Sequence, residues 1–207
     1  RSESHVVSLS DRIKKEFVAR GIDSTNVSVL PCGIDTDLYT LDETDVLYPD
    51  RSIVVGKIEP RKRQAFLQHK DLNIDFIGNN TDSSFDELDP HYLGEQSKQD
   101  IMDNLTAYAS MVLLSSGEAH PFVCLEGMAA GLGLVLSEQS TANLDISQPF
   151  ITVIPDDKLD DTTYLNQKIK ENRKISLTMR SDIRKYCFDN FDWSSIIKQY
   201  KSIIDNK

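Results

Sequence analysis

The sequence predicts an α/β fold, a Rossmann-like doubly wound parallel sheet, and three observations carry that expectation. Short β-branched or apolar runs alternate with stretches of helical pattern, the signature of βα units. The run Ser52-Ile-Val-Val-Gly56 is unbroken in apolar character, as a strand buried on both faces is. Residues 52–155 alone supply enough strand–helix units for one such domain.

Taken in order, His5–Leu9 reads as a strand, and Ser10 as the N-cap of a helix over Asp11–Arg20 that ends at Gly21. Val27–Leu30 is a second strand, closed by Pro31-Cys-Gly33. Residues 36–51, rich in Asp, Thr and Tyr, read as a linker. A second series then opens with strands at Ser52–Gly56 and Ile74–Gly78, followed by a polar loop to Asp89. Tyr92-Leu93-Gly94 reads as a short strand, with a helix from Lys98 to Ala109 behind it. Strand Met111–Leu114, a helix over Pro121–Ala130, and strands Leu134–Leu136 and Phe150–Ile154 complete the series. The remainder is helical, with apolar residues at helical spacing over Ile175–Tyr186 and Ser194–Ile204. The acidic stretch Asp156–Asp161 is too irregular for a calcium loop and reads as surface.

Composition narrows the function classes. With 33 acidic against 23 basic side chains, the net charge of −10 argues against nucleic acid or an anionic membrane as main partner. No apolar run approaches membrane-spanning length. The start, Arg1-Ser2-Glu3-Ser4-His5, has neither a Met nor the basic-then-apolar order of a secretory signal, so we expect the chain to begin inside a longer product. Cys32, Cys124 and Cys187 are widely spaced and form no metal-binding pattern, which suits a reducing, cytoplasmic compartment. The sequons at Asn26, Asn79 and Asn104 are of the kind that arises by chance.

Two segments carry chemistry. Lys57-Ile-Glu-Pro-Arg-Lys-Arg63 places four basic residues within seven, directly after the first strand of the second series. Ligands of open α/β sheets bind at the carboxyl ends of strands, so a cationic loop there is aimed at an anion such as phosphate. Gly56 lets the backbone turn sharply beside that ligand. The second segment, Glu118-Ala-His-Pro-Phe-Val-Cys-Leu-Glu126, sets two carboxylates eight residues apart. Pro121 suits a first helical turn, which leaves Glu118 in the loop and Glu126 about a turn into the helix. The free amides around Phe122 and Val123 form a second anion site, and carboxylates beside it suit the hydroxyl donors of sugar or ribose. His120 is either a loop histidine or a substrate contact.

At these residues the sequence resembles the C-terminal half of retaining glycosyltransferases of family four, which have the two-domain GT-B fold. Val29–Asp35 is similar to the family's interdomain P-N-G-V-D segment, and Gly56–Lys62 to its G-R-x4-K phosphate loop. Tyr92-Leu93-Gly94 is similar to the strand whose following backbone holds the base, Glu118–Glu126 to the E-x7-E motif, and Phe191-Asp-Trp193 to the F-S-W segment opening the crossover helix. Lys57 stands where Arg is usual, turning a bidentate contact into a point charge, and Cys32 stands where Asn is usual.

The resemblance implies a division into 1–35 (end of the N-terminal domain and interdomain segment), 36–51 (linker), 52–190 (nucleotide-sugar-binding domain) and 191–207 (crossover helix). It implies that Lys57 and Lys62 neutralise a donor diphosphate, that Glu118 contacts the transferred sugar, and that Glu126 holds the ribose. Gly56, Tyr92, Leu93, Gly94, His120, Pro121, Phe122, Val123 and Leu125 would complete the donor site. The implied reaction moves a glycosyl group from a nucleotide-diphosphate sugar, UDP or GDP, to a hydroxyl acceptor with retention, in glycan or polysaccharide synthesis. It needs no metal or other cofactor and no nucleic acid or inserted membrane anchor. An acceptor domain would have to be supplied from outside this stretch, leaving it inactive alone. Two other readings stay open: a non-catalytic sugar-nucleotide module, and a GT-B-like sugar-nucleotide epimerase using Glu118 and His120 as acid and base.

Overall fold

The computed structural model describes residues 4–205; positions 1–3 and 206–207, in the first and last predicted segments, lie outside it. The chain opens with β1 (Val6–Ser8), α1 (Asp11–Ala19) and β2 (Val27–Val29), the two strands pairing in parallel. Ser10 caps α1 as expected, its hydroxyl accepting from the Ile13 amide.

The main sheet follows: β3 (Tyr48–Val55), α2 (Gln64–Gln68), β4 (Ile74–Ile77), α3 (Lys98–Asn104), β5 (Tyr108–Leu113), α4 (Phe122–Ala129), β6 (Gly133–Ser137) and β7 (Ile151–Ile154). Three helices close the chain, α5 (Thr162–Thr178), α6 (Arg180–Phe191) and α7 (Trp193–Asp205). All five strands are parallel in the order β4-β3-β5-β6-β7. The chain therefore winds outward in both directions from β3 and β5, and the crevice outside their carboxyl ends is the topological switch point where such sheets bind ligands. Apolar clusters cover both faces. One gathers Met102, Leu125, Met128, Ile183 and Phe191 from α3, α4 and α6; the other gathers Ala65, Leu67, Leu165 and Ile169 from α2 and α5.

Several elements differ from the sequence reading. The helix expected from Lys98 to Ala109 ends at Asn104, and Tyr108 and Ala109 already belong to β5, held there by pairing with β3 and β6. The first main strand begins at Tyr48, inside the predicted linker. Its register with β5 is irregular between Tyr48 and Ser52, which relieves the ladder of needing an amide from Pro49. The rest of that segment is packed down rather than free: Tyr39 is buried in the core, and the Asp42 amide bonds Thr106 Oγ1 at 2.7 Å. Tyr92–Gly94 joins β4 through a single bridge, Phe76 to Tyr92, instead of forming a strand. The helix expected over Ile175–Tyr186 is two helices meeting at Met179. That break turns Arg180 inward, where its guanidinium bonds the carbonyls of Thr106, Tyr108 and Ala130.

Candidate functional site

The exits of β3 and β5 carry both charged segments to the switch point. Leaving β3, Gly56 adopts φ +132°, and the Lys62 ammonium folds back over it, 2.7 Å from where a Cβ would stand. Beside it Gly78, with φ +150°, brings its backbone so near Gly56 that a Cβ would lie 2.1 Å from the Gly56 carbonyl oxygen. No side chain fits between two strand exits that close. The loop is held in shape by Gln64, whose amide donates to the Lys57 carbonyl (3.0 Å) and accepts from the Glu59 amide (3.3 Å). Lys57 points into solvent at the rim of a cavity of about 430 Å³ walled by Gly56, Ile77, Gly78, Asn79, Glu95 and Gln96.

Leaving β5, Ser115 is fully buried and Glu118 sits in the loop, as predicted. Pro121 precedes the first turn of α4, and no side chain caps that turn. The dipole at a helix start favours negative charge, but the amides there are not all free as expected: the Phe122 amide donates to the His120 carbonyl and the Cys124 amide to the Pro121 carbonyl, both at 2.9 Å. Glu126 lies one turn in, half-buried, with its Oε1 accepting from the Tyr39 hydroxyl at 2.9 Å. Burial lifts the Glu126 carboxyl above its ordinary value, opposed by the Tyr39 hydrogen bond and the charge of Lys98.

Lys62, Glu118 and Glu126 all act electrostatically on Cys124, near the start of α4. The buried thiol of Cys124 is pushed up first by burial and then by the charges of both Glu118 and Glu126, while Lys62 pulls it down. All three charged groups are thus within electrostatic reach of one side chain. Glu118 also pairs with Arg61 across the crevice, Nη1 to Oε1 at 3.0 Å.

Other predicted residues are placed differently. The Tyr92 hydroxyl donates to the Gly78 carbonyl (2.9 Å) and its ring packs edge-on against Phe85, so this side chain braces the loop. Leu93 lines a separate cavity of about 210 Å³ with Tyr48, Asp100 and Tyr108. Gly94 bonds alongside β4, its carbonyl accepting from the Gly78 amide at 2.9 Å. Leu125 is fully buried in the core, so only its backbone faces the helix terminus. Phe122 is exposed and Val123 half-buried at the opening of α4. His120 turns inward: Nδ1 lies 2.9 Å from Asn143 Nδ2, and its ring approaches Phe191. Burial lowers its pKa, so the ring is neutral at pH 7.

Sequence reasoning missed Tyr39, Arg61, Asn79, Glu95, Gln96 and Lys98. Arg61 lay inside the basic run but nothing separated it from its neighbours, and Tyr39 lay in a stretch without periodicity. Among the described residues no group of three or more His, Cys, Asp or Glu is placed to hold a metal ion. Among them, too, no helix is long and apolar enough to cross a membrane.

No protein-family model matches the sequence, and a search of curated proteins finds no match. Solved structures do match. The lipopolysaccharide outer core galactosyltransferase WaaB, in its apo form, superposes with a TM-score of 0.75 over 99% of this chain and 62% of its own, at 15% identity. HepE of Anabaena, in complex with UDP and glucose, gives 0.72 over 99% and 63%, at 17% identity. Sucrose-phosphate synthase of Thermosynechococcus elongatus gives 0.72 over 97% and 57%, at 16% identity. The chain spans about three fifths of the length of these structures. The fold, a parallel five-stranded sheet flanked by helices, is the Rossmann-like fold found in these GT-B glycosyltransferase structures.

Proposed function

We propose that this chain binds a nucleotide-diphosphate sugar, UDP- or GDP-linked, at the carboxyl ends of β3 and β5. It serves there as the donor half of a retaining glycosyltransferase of glycan or polysaccharide synthesis. The observation that carries the reading is what the exits of β3 and β5 present at the switch point: Lys62 folded over Gly56, Glu118 paired with Arg61 across the crevice, and Glu126 one turn into a helix whose start no side chain caps. A ligand matched to that set bears an anion flanked by hydroxyls on both sides, as a sugar nucleotide does. HepE, of similar fold, has been solved with UDP-glucose.

In this reading the diphosphate lies between the Lys57–Lys62 loop and the amino end of α4. Glu126 accepts from ribose hydroxyls with the oxygen Tyr39 leaves open, and Glu118 accepts from the transferred sugar. The base enters the cavity beside Gly78, where backbone groups and Gln96 are within reach. When the bond from the anomeric carbon to the diphosphate breaks, negative charge grows on the departing phosphate. Lys57, Lys62 and the dipole at the start of α4, already oriented, stabilise that charge without a metal ion or other cofactor. The acceptor hydroxyl attacks from the face the diphosphate leaves and gives its proton to the departing phosphate oxygen, so configuration is retained with no protein nucleophile. The acceptor arrives on a separate N-terminal domain, so the chain alone binds donor without transferring sugar. The free cysteines, two of them buried, suit a reducing compartment, and we place the protein in the cytoplasm.

Calorimetric titration with UDP, GDP and ADP, then with the corresponding sugar nucleotides, tests this. Saturable binding of one base, weakened about tenfold or more in Lys62→Ala, is the expected result, since one lost charge-assisted contact is worth about 1.5–3 kcal/mol. Absence of binding by every nucleotide overturns the assignment.

A further inference from the structure

Arg61 joins the two loops that form the switch-point crevice. Its carbonyl accepts from the Ser116 amide at 2.8 Å and from the Ser116 hydroxyl at 3.3 Å. Its guanidinium does more. Nη1 donates to Ser115 Oγ at 3.0 Å, to the Gly117 carbonyl, and to Glu118 Oε1 at 3.0 Å, while Nη2 donates to Glu59 Oε1 at 2.7 Å. Four acceptors on two loops are thus gathered by one planar fork, and the carboxylate that ends the series is largely shielded, with 15% of its side chain exposed.

We infer that Arg61 is a positioning residue: it fixes the rotamer of Glu118 so that the second carboxylate oxygen is presented to a hydroxyl of the transferred sugar. The inference rests on the donor site proposed above and names what sets the sugar contact within it. The geometry favours positioning over direct contact with the donor phosphate, because the guanidinium is already committed to Ser115, Gly117, Glu59 and Glu118. A Glu118 without that partner would be a flexible loop carboxylate, free to swing into solvent and accepting from a sugar in only a fraction of its rotamers. Lysine cannot substitute fully, since an ammonium lacks the fork needed to hold carbonyl and carboxylate in one plane.

The test compares affinities for UDP and UDP-glucose, and for GDP and GDP-mannose, in wild type, Arg61→Met, Arg61→Lys, Glu118→Ala and the Arg61→Met/Glu118→Ala double variant. Thermal melts check folding. In wild type the sugar nucleotide binds more tightly than its parent diphosphate. Arg61→Met keeps diphosphate affinity within about threefold while reducing the sugar's added affinity about five- to tenfold, part of the worth of a charge-assisted hydrogen bond, since an unpositioned Glu118 still accepts from the sugar in some of its rotamers. Arg61→Lys recovers part of it, and the double variant is no weaker than Glu118→Ala alone. A general loosening of the fold would instead weaken diphosphate and sugar nucleotide together. That equal loss overturns the inference, as does a wild-type affinity ratio of one, or an Arg61→Met effect that persists undiminished without Glu118. Failure of wild type to bind any of the four ligands overturns the donor site itself, a result distinct from these.

Discussion

The two ends of the five-stranded sheet treat positive charge in opposite ways. At the amino ends of the strands, Arg173 reaches from α5 into the core and is 5% exposed. Every donor it turns inward is taken: Nε bonds Ser52 Oγ at 2.9 Å, and Nη2 bonds the Leu72 and Asn73 carbonyls at 2.7 Å each. Burial without a paired carboxylate pulls its pKa down to about 10, yet it stays charged at neutral pH. At the carboxyl ends, Lys57 stands in solvent and Lys62 arches over a glycine. The larger cavity, about 490 Å³, lies beside Arg173, while the one beside Lys57 is about 430 Å³. Volume therefore ranks the ends wrongly. A cation whose hydrogen bonds are spent on the fold is a strut, and one held close to backbone without a carboxylate partner is available to a ligand.

The sharpest way to break this contrast is to remove the strut. Arg173→Met leaves the Leu72 and Asn73 carbonyls buried without their donor, and each such loss costs about 1–3 kcal/mol. We expect stability to fall by about 3–5 kcal/mol and the melting temperature by roughly 10 °C or more. Nucleotide affinity measured well below that melting temperature stays as in wild type. A variant that melts normally, or that loses nucleotide binding while folded, contradicts the assignment of the two ends.

Gly78→Ala comes next, because it attacks the carboxyl end through the backbone. The added Cβ meets the Gly56 carbonyl at 2.1 Å in a conformation, φ +150°, that L-residues rarely adopt. A cost of about 2–4 kcal/mol follows from strain and displacement. Unlike Arg173→Met, this substitution moves the turn that carries Lys57, so binding falls with stability. Melting and titration of the same sample check both.

Much of this arrangement was legible in the sequence, for identifiable reasons. The strands at Ile53–Val55, Met111–Leu113 and Leu134–Leu136 are buried on both faces, and unbroken apolar runs announce that directly. The basic run and the two carboxylates were visible because charge is rare beside such runs. What escaped depends on partners distant in the chain. Tyr39 earns no periodicity of its own; its place is set by Glu126, 87 residues away. Arg61 and Lys62 are neighbours of like charge, and only the fold decides that one meets Glu118 while the other covers Gly56. Tyr48 belongs to β3 through pairing with Tyr108, which Pro49 conceals from any local reading.

A binding-side counterpart to the Arg173 variant is Lys62→Ala. Lys62 makes no ion pair among the described residues, so its loss should leave the melting temperature within about 1–2 °C of wild type, the range of an ordinary surface substitution. Affinity for the nucleotide diphosphate should fall about tenfold, and the residual affinity should be less sensitive to salt. Paired with Arg173→Met, it makes a reciprocal test: one substitution costs stability and spares binding, the other does the reverse.

The smallest effect is the most discriminating, because it concerns a buried charge at the site end that the fold only partly satisfies. Burial holds the Glu126 carboxyl above its value in the unfolded chain, with the Tyr39 hydroxyl and Lys98 opposing. The native state therefore binds the proton more tightly than the unfolded state does, and stability declines as pH rises through the native value. Glutamine cannot ionise and still accepts from Tyr39 through its carbonyl oxygen. Glu126→Gln should thus raise the melting temperature by about 1–2 °C at pH 7.5, and the gain should vanish as pH falls to the unperturbed value of 4.5 and below. Nucleotide affinity at pH 7.5 should move the other way, falling about fivefold, because an amide offers donors where ribose hydroxyls need an acceptor. Stability gained and binding lost from one atom exchange would mark Glu126 as a charge kept buried for a ligand. A melting temperature that falls at pH 7.5 would make it a strut like Arg173, and the contrast between the two ends of the sheet would then fail at its centre.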